Sequence, residues 1–539
     1  MNESSPGPLL GRWWIVLLAL LGLGLRLYSL GSLSLWNDEA VSLESALAPS
    51  AGSLLVFNLW ADVHPPLYPL LLRLWLAPGA SEYLARFLSV GCGVLLIPVI
   101  YQVGRRLFGE RWGRLAAFLT AVSPFFIYYS REVRMYSLVA LLVALSVLFF
   151  LKIVVGEGGW AWLGYGVTMV AALYTDYPAF LVLVGLNGFV VLFWSRYRPL
   201  ARSWLALQGL LLALYLPGLA GAAYQAANRG SGFWLPAVTW DAIPNTLATF
   251  AFGHTLDGLA QVFALTLSLI VLLVWMLRWS QDRRMVLLGL WLLLPLLGFY
   301  LVSLLFFSIY LERSLIVAAP ALVLAAALGL GNVPLMPLRL LLLGLWLALG
   351  VISLMNLYAS PDYARPALAQ GAAYLASSAL PSDLVVHTSF LSYEPLVVYH
   401  RLLGRSLGDE VVLDAQLGQA GQRQVFGQGK GLGGFLLSAT PLGGWRQEAA
   451  DYLDRVLGES VVDEAGLAAR AQGRDSLWLV EMTPQAQHQV AQPTFLQRRY
   501  WQPPLQPDLT EAAWLQQGFR LAQEKRLPGL NLYLYRRAA

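Results

Sequence analysis

A polytopic α-helical membrane protein with a C-terminal α/β domain is the fold class that the sequence predicts, and three observations predict it. Of 539 residues, 58% are hydrophobic and only 12% charged, where an ordinary soluble domain carries about 25% charged residues. Apolar runs of membrane-spanning length recur from residue 13 to residue 357. Beyond residue 358 the charges return, and short β-like runs alternate with helical periodicity.

A bilayer-spanning helix needs roughly 20 mostly apolar residues. The first candidate, Trp13 to Leu30, exceeds a signal-peptide core and lacks a small-residue cleavage site, so it is expected to be a retained span. Further runs lie near 84–103, 115–129, 137–155, 160–176, 178–195, 203–220, 258–277, 285–308, 315–331 and 338–357. The reading is therefore about eleven transmembrane helices.

Positive charge orients them, because cytoplasmic loops retain Arg and Lys. Arg105, Arg106, Arg111 and Arg114, then Arg196, Arg198 and Arg202, then Arg278, Arg283 and Arg284 fall in every second loop. The expected topology is a multi-pass protein of the cytoplasmic membrane with its N-terminus in the cytoplasm. The first long loop, about residues 31–83, and everything after 358 then lie outside. Residues 1–358 form the membrane domain, and 359–539 an extracytoplasmic α/β domain.

The formal charge of +5 does not point to nucleic acid, since the basic residues form no stripe or aromatic-interleaved patch. Cys92 is the sole cysteine, so no intrachain disulfide exists. In the tail, "DLVVHTS" (383–389), "SLWLVEM" (476–482) and "NLYLYRR" (531–537) read as strands, and "WRQEAADYLDRVLG" (445–458) reads as a helix. "GQGKGLGG" (427–434) lacks the Ser or Thr that a Walker A loop places after its Lys, so it reads as a glycine-rich loop.

Ionisable groups at membrane depth cost several kcal/mol unless they face protein, water or substrate. Here they gather on the outer side. Asp38 and Glu39 lie in "LWNDEAVSLE" (35–44), and Asp62, His64 and Tyr68 in "ADVHPPLYPLLLRLW" (61–75). Arg131, Glu132, Arg134 and Tyr136 lie in "YYSREVRMYS" (128–137), Asp176 in "YTDYP", His254 in "FAFGH", and Glu312 and Arg313 in "YLERS". By the topology above they converge on one outward-facing cavity. Simpler roles exist for each: Asp38 and Glu39 as helix-terminal charges, Arg131 and Arg134 as interfacial anchors, and Trp234 and Trp240 as part of an aromatic belt.

A carboxylate at the membrane surface, ringed by cationic and tyrosine groups, suits transfer of a group from a phosphate-linked lipid to a hydroxyl. The carboxylate takes the acceptor proton as general base, and arginines hold the phosphate as charge grows on it. Phosphate leaves without a proton, so the paired carboxylates of glycoside hydrolases are not required.

"LWNDEAVSLE", "HPPLYPLLLRLW" and "SPFFIYYSREVRMYSLVALL" (123–142), in this order, resemble bacterial membrane glycosyltransferases of family 39. These belong to the GT-C superfamily, which includes protein O-mannosyltransferases and the lipid A aminoarabinose transferase. The resemblance covers roughly residues 10–330. It implies a GT-C fold with external juxtamembrane helices, a polyprenyl-phosphate-linked sugar as donor, and a hydroxyl acceptor on protein, glycan or lipid. By the same resemblance Asp38 is the catalytic base, Glu39 its neighbour, and Glu132 the acidic residue of the second external loop.

His64 stands where the aminoarabinose transferase has a phosphate-binding Lys, so that role requires a protonated or hydrogen-bonding imidazole. Tyr68, Arg131, Arg134, Tyr136, Asp176 and Arg313 complete the expected substrate contacts. A divalent metal is left open, with Glu132 and His254 as candidate ligands; Val63 replaces a metal-site Glu of that relative. The alternatives are a lipid or sugar flippase, whose internal inverted repeats are not visible here, and an oligosaccharide transferase.

Overall fold

The computed structural model describes residues 10–60, 62–227, 237–277, 282–405, 407, 409–413, 461–462, 464–484, 486, 509 and 512–538. The "GQGKGLGG" loop, the expected helix at 445–458 and Trp234 lie outside these residues.

All eleven apolar runs fall on helices. Helix α1 (Leu10–Leu27) is followed by three short helices, α2 (Asn37–Ala46), α3 (Ala51–Trp60) and α4 (Leu67–Trp75). These fill the loop where juxtamembrane helices are expected. Next come α5 (Glu82–Phe108), α6 (Glu110–Val122), α7 (Pro124–Ser130), α8 (Tyr136–Val154), α9 (Gly158–Leu173) and α10 (Ala179–Leu192). The series continues through α11 (Trp194–Tyr197), α12 (Ala201–Ala227), α13 (Ala242–Phe252), α14 (Gly258–Leu277), α15 (Arg283–Leu305), α16 (Ala319–Gly331) and α17 (Met336–Ala359).

Among the described residues, eight helical segments are long and apolar enough to cross a membrane. The other three expected spans lie on shorter helices, α6, α9 and α10, of 13, 16 and 14 residues, against roughly 17 for an upright span. The run at 115–129 is cut because Ser123 caps a new helix, its side chain accepting from the Phe126 N–H, and Pro124 occupies the first turn, where no N–H is needed.

Helix α16 is the centre of the bundle. It carries only Ala, Leu, Val, Gly and Pro, is buried along its whole length and packs against α6, α14 and α15, as an all-apolar helix must. Leu205 on α12, Phe263 on α14 and Leu341 on α17 are exposed on the outer faces, where hydrocarbon would cover them. Glycine sets the spacing of α5 against α6: a Cβ at Gly113 would lie 2.7 Å from the Tyr101 carbonyl oxygen and 2.8 Å from the Arg105 nitrogen.

The C-terminal domain contains α18 (Leu368–Ser378), α19 (Phe390–Leu402), α20 (Glu464–Ala471) and α21 (Ala513–Gly518). Its six strands are β1 (Leu384–His387), β2 (Asp409–Leu413), β3 (Val461–Val462), β4 (Ser476–Met482), β5 (Phe519–Leu527) and β6 (Leu530–Arg537). They run in the order β3-β2-β1-β4-β6-β5. Pairing is parallel among β3, β2, β1 and β4, and antiparallel through β6 and β5. The three runs read as strands are β1, β4 and β6, and α19 lies directly on α2.

Replacing Gly113 by Leu should overpack the α5–α6 contact and cost about 1–3 kcal/mol. Gly24, with open space around its Cβ position, should tolerate the same change. Thermal unfolding in detergent, followed by size-exclusion chromatography, would show an earlier transition for Gly113→Leu only; equal transitions would contradict the packing read here.

Candidate active site

The site is built around the first turn of α2. Asp38 and Glu39 are successive residues there, so their side chains leave the helix about 100° apart and meet different surroundings.

Glu39 points inward and is fully enclosed. Arg86, from α5 and equally enclosed, donates Nε to Glu39 Oε1 and Nη2 to Oε2, each at 3.0 Å. The Val133 N–H donates to Oε1 at 2.9 Å, and the Trp36 N–H reaches Oε2 at 3.4 Å, which caps the helix. Arg365, from the segment joining α17 to α18, also donates to Oε2. Burial raises this carboxyl, but Arg365 and Arg86 outweigh burial and hold it at about 2. Its stabilising charge is therefore complete above the ordinary carboxyl range and is lost only as pH falls toward 2.

Arg86 also gathers the extended strand before α2, donating to the carbonyls of Leu30, Leu33 and Ser34 at 3.3, 2.7 and 3.2 Å. Neither Arg86 nor Arg365 was expected from the sequence. Arg86 is visible in hindsight as a single charge one turn inside an apolar run, while Arg365 carries no local signal.

Asp38 points the other way, its side chain 21% exposed, and pairs with Arg313 Nη2 at 3.0 Å. Arg313 stands with its guanidinium 5.3 Å from the Trp36 ring centroid, and its Nε and Nη1 have no hydrogen-bond partner. Arg313 lines a cavity of about 270 Å³ together with His64, Tyr136, Asp176, Tyr177 and Gln225, with apolar walls from α12 and α15; Asp38 adjoins that lining through its pair with Arg313. Burial pushes the Asp176 carboxyl up to about 7, and its Oδ2 has no partner.

Arg134 supports this arrangement from behind. It donates to the Asp38 carbonyl at 3.2 Å, to Ser42 Oγ at 3.0 Å, and to His64 Nε2 at 2.6 Å. His64 therefore accepts through Nε2 and keeps its proton on Nδ1. Burial, then Arg134 and Arg313, push its pKa well below the ordinary range. It is a neutral donor at the cavity wall and cannot replace a lysine charge.

Glu132 lies behind the cavity, with Oε1 accepting from Arg365 Nη2 at 3.2 Å. Burial raises its carboxyl to about 7 against the pull of Arg365. Two residues expected at the substrate are turned elsewhere. Arg131 donates to the Tyr28 carbonyl at 2.9 Å and stacks 4.7 Å from the Tyr358 ring centroid. Tyr68 is buried against Ser89, Oη to Oγ 3.0 Å, and Ser89 in turn donates to the Arg134 carbonyl at 3.0 Å.

His254 stacks edge-on against Tyr128 at 4.1 Å between ring centroids, apart from the cavity lining. Among the described residues no group of three or more His, Cys, Asp or Glu side chains could hold a metal, and Glu132 is occupied by Arg365. These residues do not fit a metal centre, so no step is derived through one.

The family model for dolichyl-phosphate-mannose-protein mannosyltransferases matches residues 63–217, from Val63 to Pro217 within α12. Among solved structures, ArnT from Cupriavidus metallidurans superposes with a TM-score of 0.59 at 14% identity, covering 97% of this chain and 98% of that one. The chain carries the GT-C fold. The fold expected from the motifs is thereby borne out, and the family model matches within the stretch that the family 39 resemblance covers.

The same figures hold for ArnT bound to undecaprenyl phosphate. The archaeal oligosaccharyltransferase AglB from Archaeoglobus fulgidus, in complex with an inhibitory peptide and a dolichol-phosphate, gives a TM-score of 0.50 at 13% identity, covering 92% of this chain and 72% of that one. No curated protein sequence matches the chain.

Removing the Glu39 charge takes from Arg86 and Arg365 the buried carboxylate they share, leaving Arg86 only Glu82 at 3.6 Å and Arg365 only Glu132 at 3.2 Å, a loss of up to about 3–5 kcal/mol. Glu39→Gln should therefore melt well below wild type in detergent. Asp38→Asn, at a partly exposed position, should melt close to wild type; the reverse order would contradict this division of roles.

Proposed function

We propose that this chain is a glycosyltransferase that moves one sugar from a polyprenyl-phosphate donor to a hydroxyl acceptor, with inversion. In this reading the site faces outward from the cytoplasmic membrane, the N-terminus is cytoplasmic, and the C-terminal domain is extracytoplasmic. The observation that carries it is the Asp38–Arg313 pair, a carboxylate and a guanidinium 3.0 Å apart, the latter lining the cavity and with two donors left over. The GT-C fold and the match to the mannosyltransferase family model support it.

The chemistry follows from the placement. Arg313 turns Nη1 to the donor phosphate, and the neutral His64 adds a hydrogen bond through Nδ1. Asp38 accepts the proton of the acceptor hydroxyl as its oxygen attacks the anomeric carbon from the face opposite the phosphate. The carbon–phosphate-oxygen bond breaks, and polyprenyl phosphate leaves as an anion beside Arg313. Arg134 holds Asp38 and His64, and Glu39 fixes the helix turn that presents Asp38.

The same fold in AglB keeps the oligosaccharide alternative as a comparison for the donor panel.

The test is release of free polyprenyl phosphate from a panel of polyprenyl-phospho-sugars by purified protein. Wild type should turn over one donor, and Asp38→Asn should lose about 10²–10⁴-fold in rate while still binding polyprenyl phosphate. An active Asp38→Asn overturns the assignment of the base. Lipid binding without turnover of any donor would favour a flippase.

A further inference from the structure

The C-terminal domain reaches the site at three points. Arg365 lies in the short segment after α17 and extends one guanidinium to two carboxylates, Glu39 through Nη1 and Glu132 through Nη2. From α19, Tyr399 accepts the Leu35 N–H at 2.7 Å, just before α2 begins. Also from α19, Arg401 pairs with Glu44 at 2.8 Å and donates to the Leu47 carbonyl at 2.8 Å, where α2 ends. The helix carrying Asp38 is therefore held at its start, its end and its buried carboxylate by residues that follow the last span.

The segment that carries Arg365 is itself clamped by the domain. The Ala367 N–H donates to the Pro528 carbonyl at 2.8 Å, in the turn between β5 and β6. Gly529 adopts φ +74°, and a Cβ there would lie 3.0 Å from Pro366 Cβ. On the other side the Ala369 N–H donates to Ser34 Oγ at 3.3 Å, and Arg365 donates to the Ser34 carbonyl at 3.1 Å. The chain around Arg365 is fixed between the β5–β6 turn and the strand leading into α2.

We propose that Arg365 is a positioning residue of the transfer site, bridging Glu39 and Glu132 so that Asp38 faces the cavity, and that the C-terminal domain is thereby a working part of the catalytic centre. A planar guanidinium fork spans two carboxylates in one geometry, which an ammonium on a flexible stem does not. Arg86 already neutralises Glu39, so the particular service of Arg365 is to Glu132. Among the described ion pairs no other cation contacts that buried carboxylate.

This inference rests on the transfer reading, and the experiment separates the two. Full-length wild type, Asp38→Asn, Arg365→Gln and Arg365→Lys are assayed for polyprenyl phosphate release across pH 5–9, with folding checked by thermal unfolding. In Arg365→Gln, kcat should fall by about 30-fold with donor KM little changed. Without the guanidinium, Glu132 ionises only at higher pH, so the acid limb of kcat should move upward by about one unit. Arg365→Lys keeps the charge but not the bridge, so its limb should stay near wild type while kcat falls about fivefold.

Wild-type kcat in either folded variant overturns the proposal, as does a loss in Arg365→Gln without a shift of the limb. Should Arg365→Gln not fold, kcat of Arg365→Lys decides alone, with the fivefold fall expected and wild-type kcat contradicting. Absence of turnover by wild type defeats the transfer reading and this inference with it. Turnover by wild type with unaltered Arg365 variants defeats only the inference.

Discussion

One buried charge organises the membrane-facing half of this site. Removing a carboxylate from water costs several kcal/mol, and Glu39 recovers that only because two arginines and the Val133 N–H converge on it. Each partner arrives from a different part of the chain: Arg86 from α5, Val133 from the turn between α7 and α8, and Arg365 from beyond the last span. Satisfying one carboxylate thus joins α2, α5, the α7–α8 turn and the segment after the last span.

This accounts for two adjacent acids in an otherwise apolar chain. Neighbouring residues on a helix do not share a face, so the structure divides the labour between them. Glu39 spends its hydrogen-bonding capacity inside the protein and anchors the turn. Asp38, one residue earlier, stays partly exposed with a single guanidinium beside it. An anchored residue next to a reactive one limits the positions the reactive one can take, which is what a group meeting a developing transition state needs.

Much of this was legible in the sequence, and the parts that were not share a cause. Hydropathy placed eleven apolar runs, all of which fall on helices, though it passed over the shorter apolar α3 and α13, and charge placement grouped Asp38, His64, Asp176 and Arg313. The number of full-length spans was not legible, because a continuous apolar run hides the break at Ser123–Pro124 and the brevity of α9 and α10. Arg131 and Arg134, three places apart in one motif, look alike in the sequence. Their directions are set by carbonyls at Tyr28 and Asp38, which lie about a hundred residues away. Arg365 stood outside any motif, since its significance comes from a contact across 326 residues that only the folded chain makes. Hydrophobic pattern is local and periodic, whereas side-chain direction in a buried polar cluster depends on partners from elsewhere.

A structure of the protein with an intact polyprenyl-phospho-sugar, captured with Asp38→Asn to prevent turnover, tests the central claim most directly. The account predicts the donor phosphate within hydrogen-bonding distance of Arg313 Nη1, with the anomeric carbon between that phosphate and residue 38. A phosphate bound away from Arg313, or a sugar turned so that residue 38 faces the same side as the leaving oxygen, would contradict it.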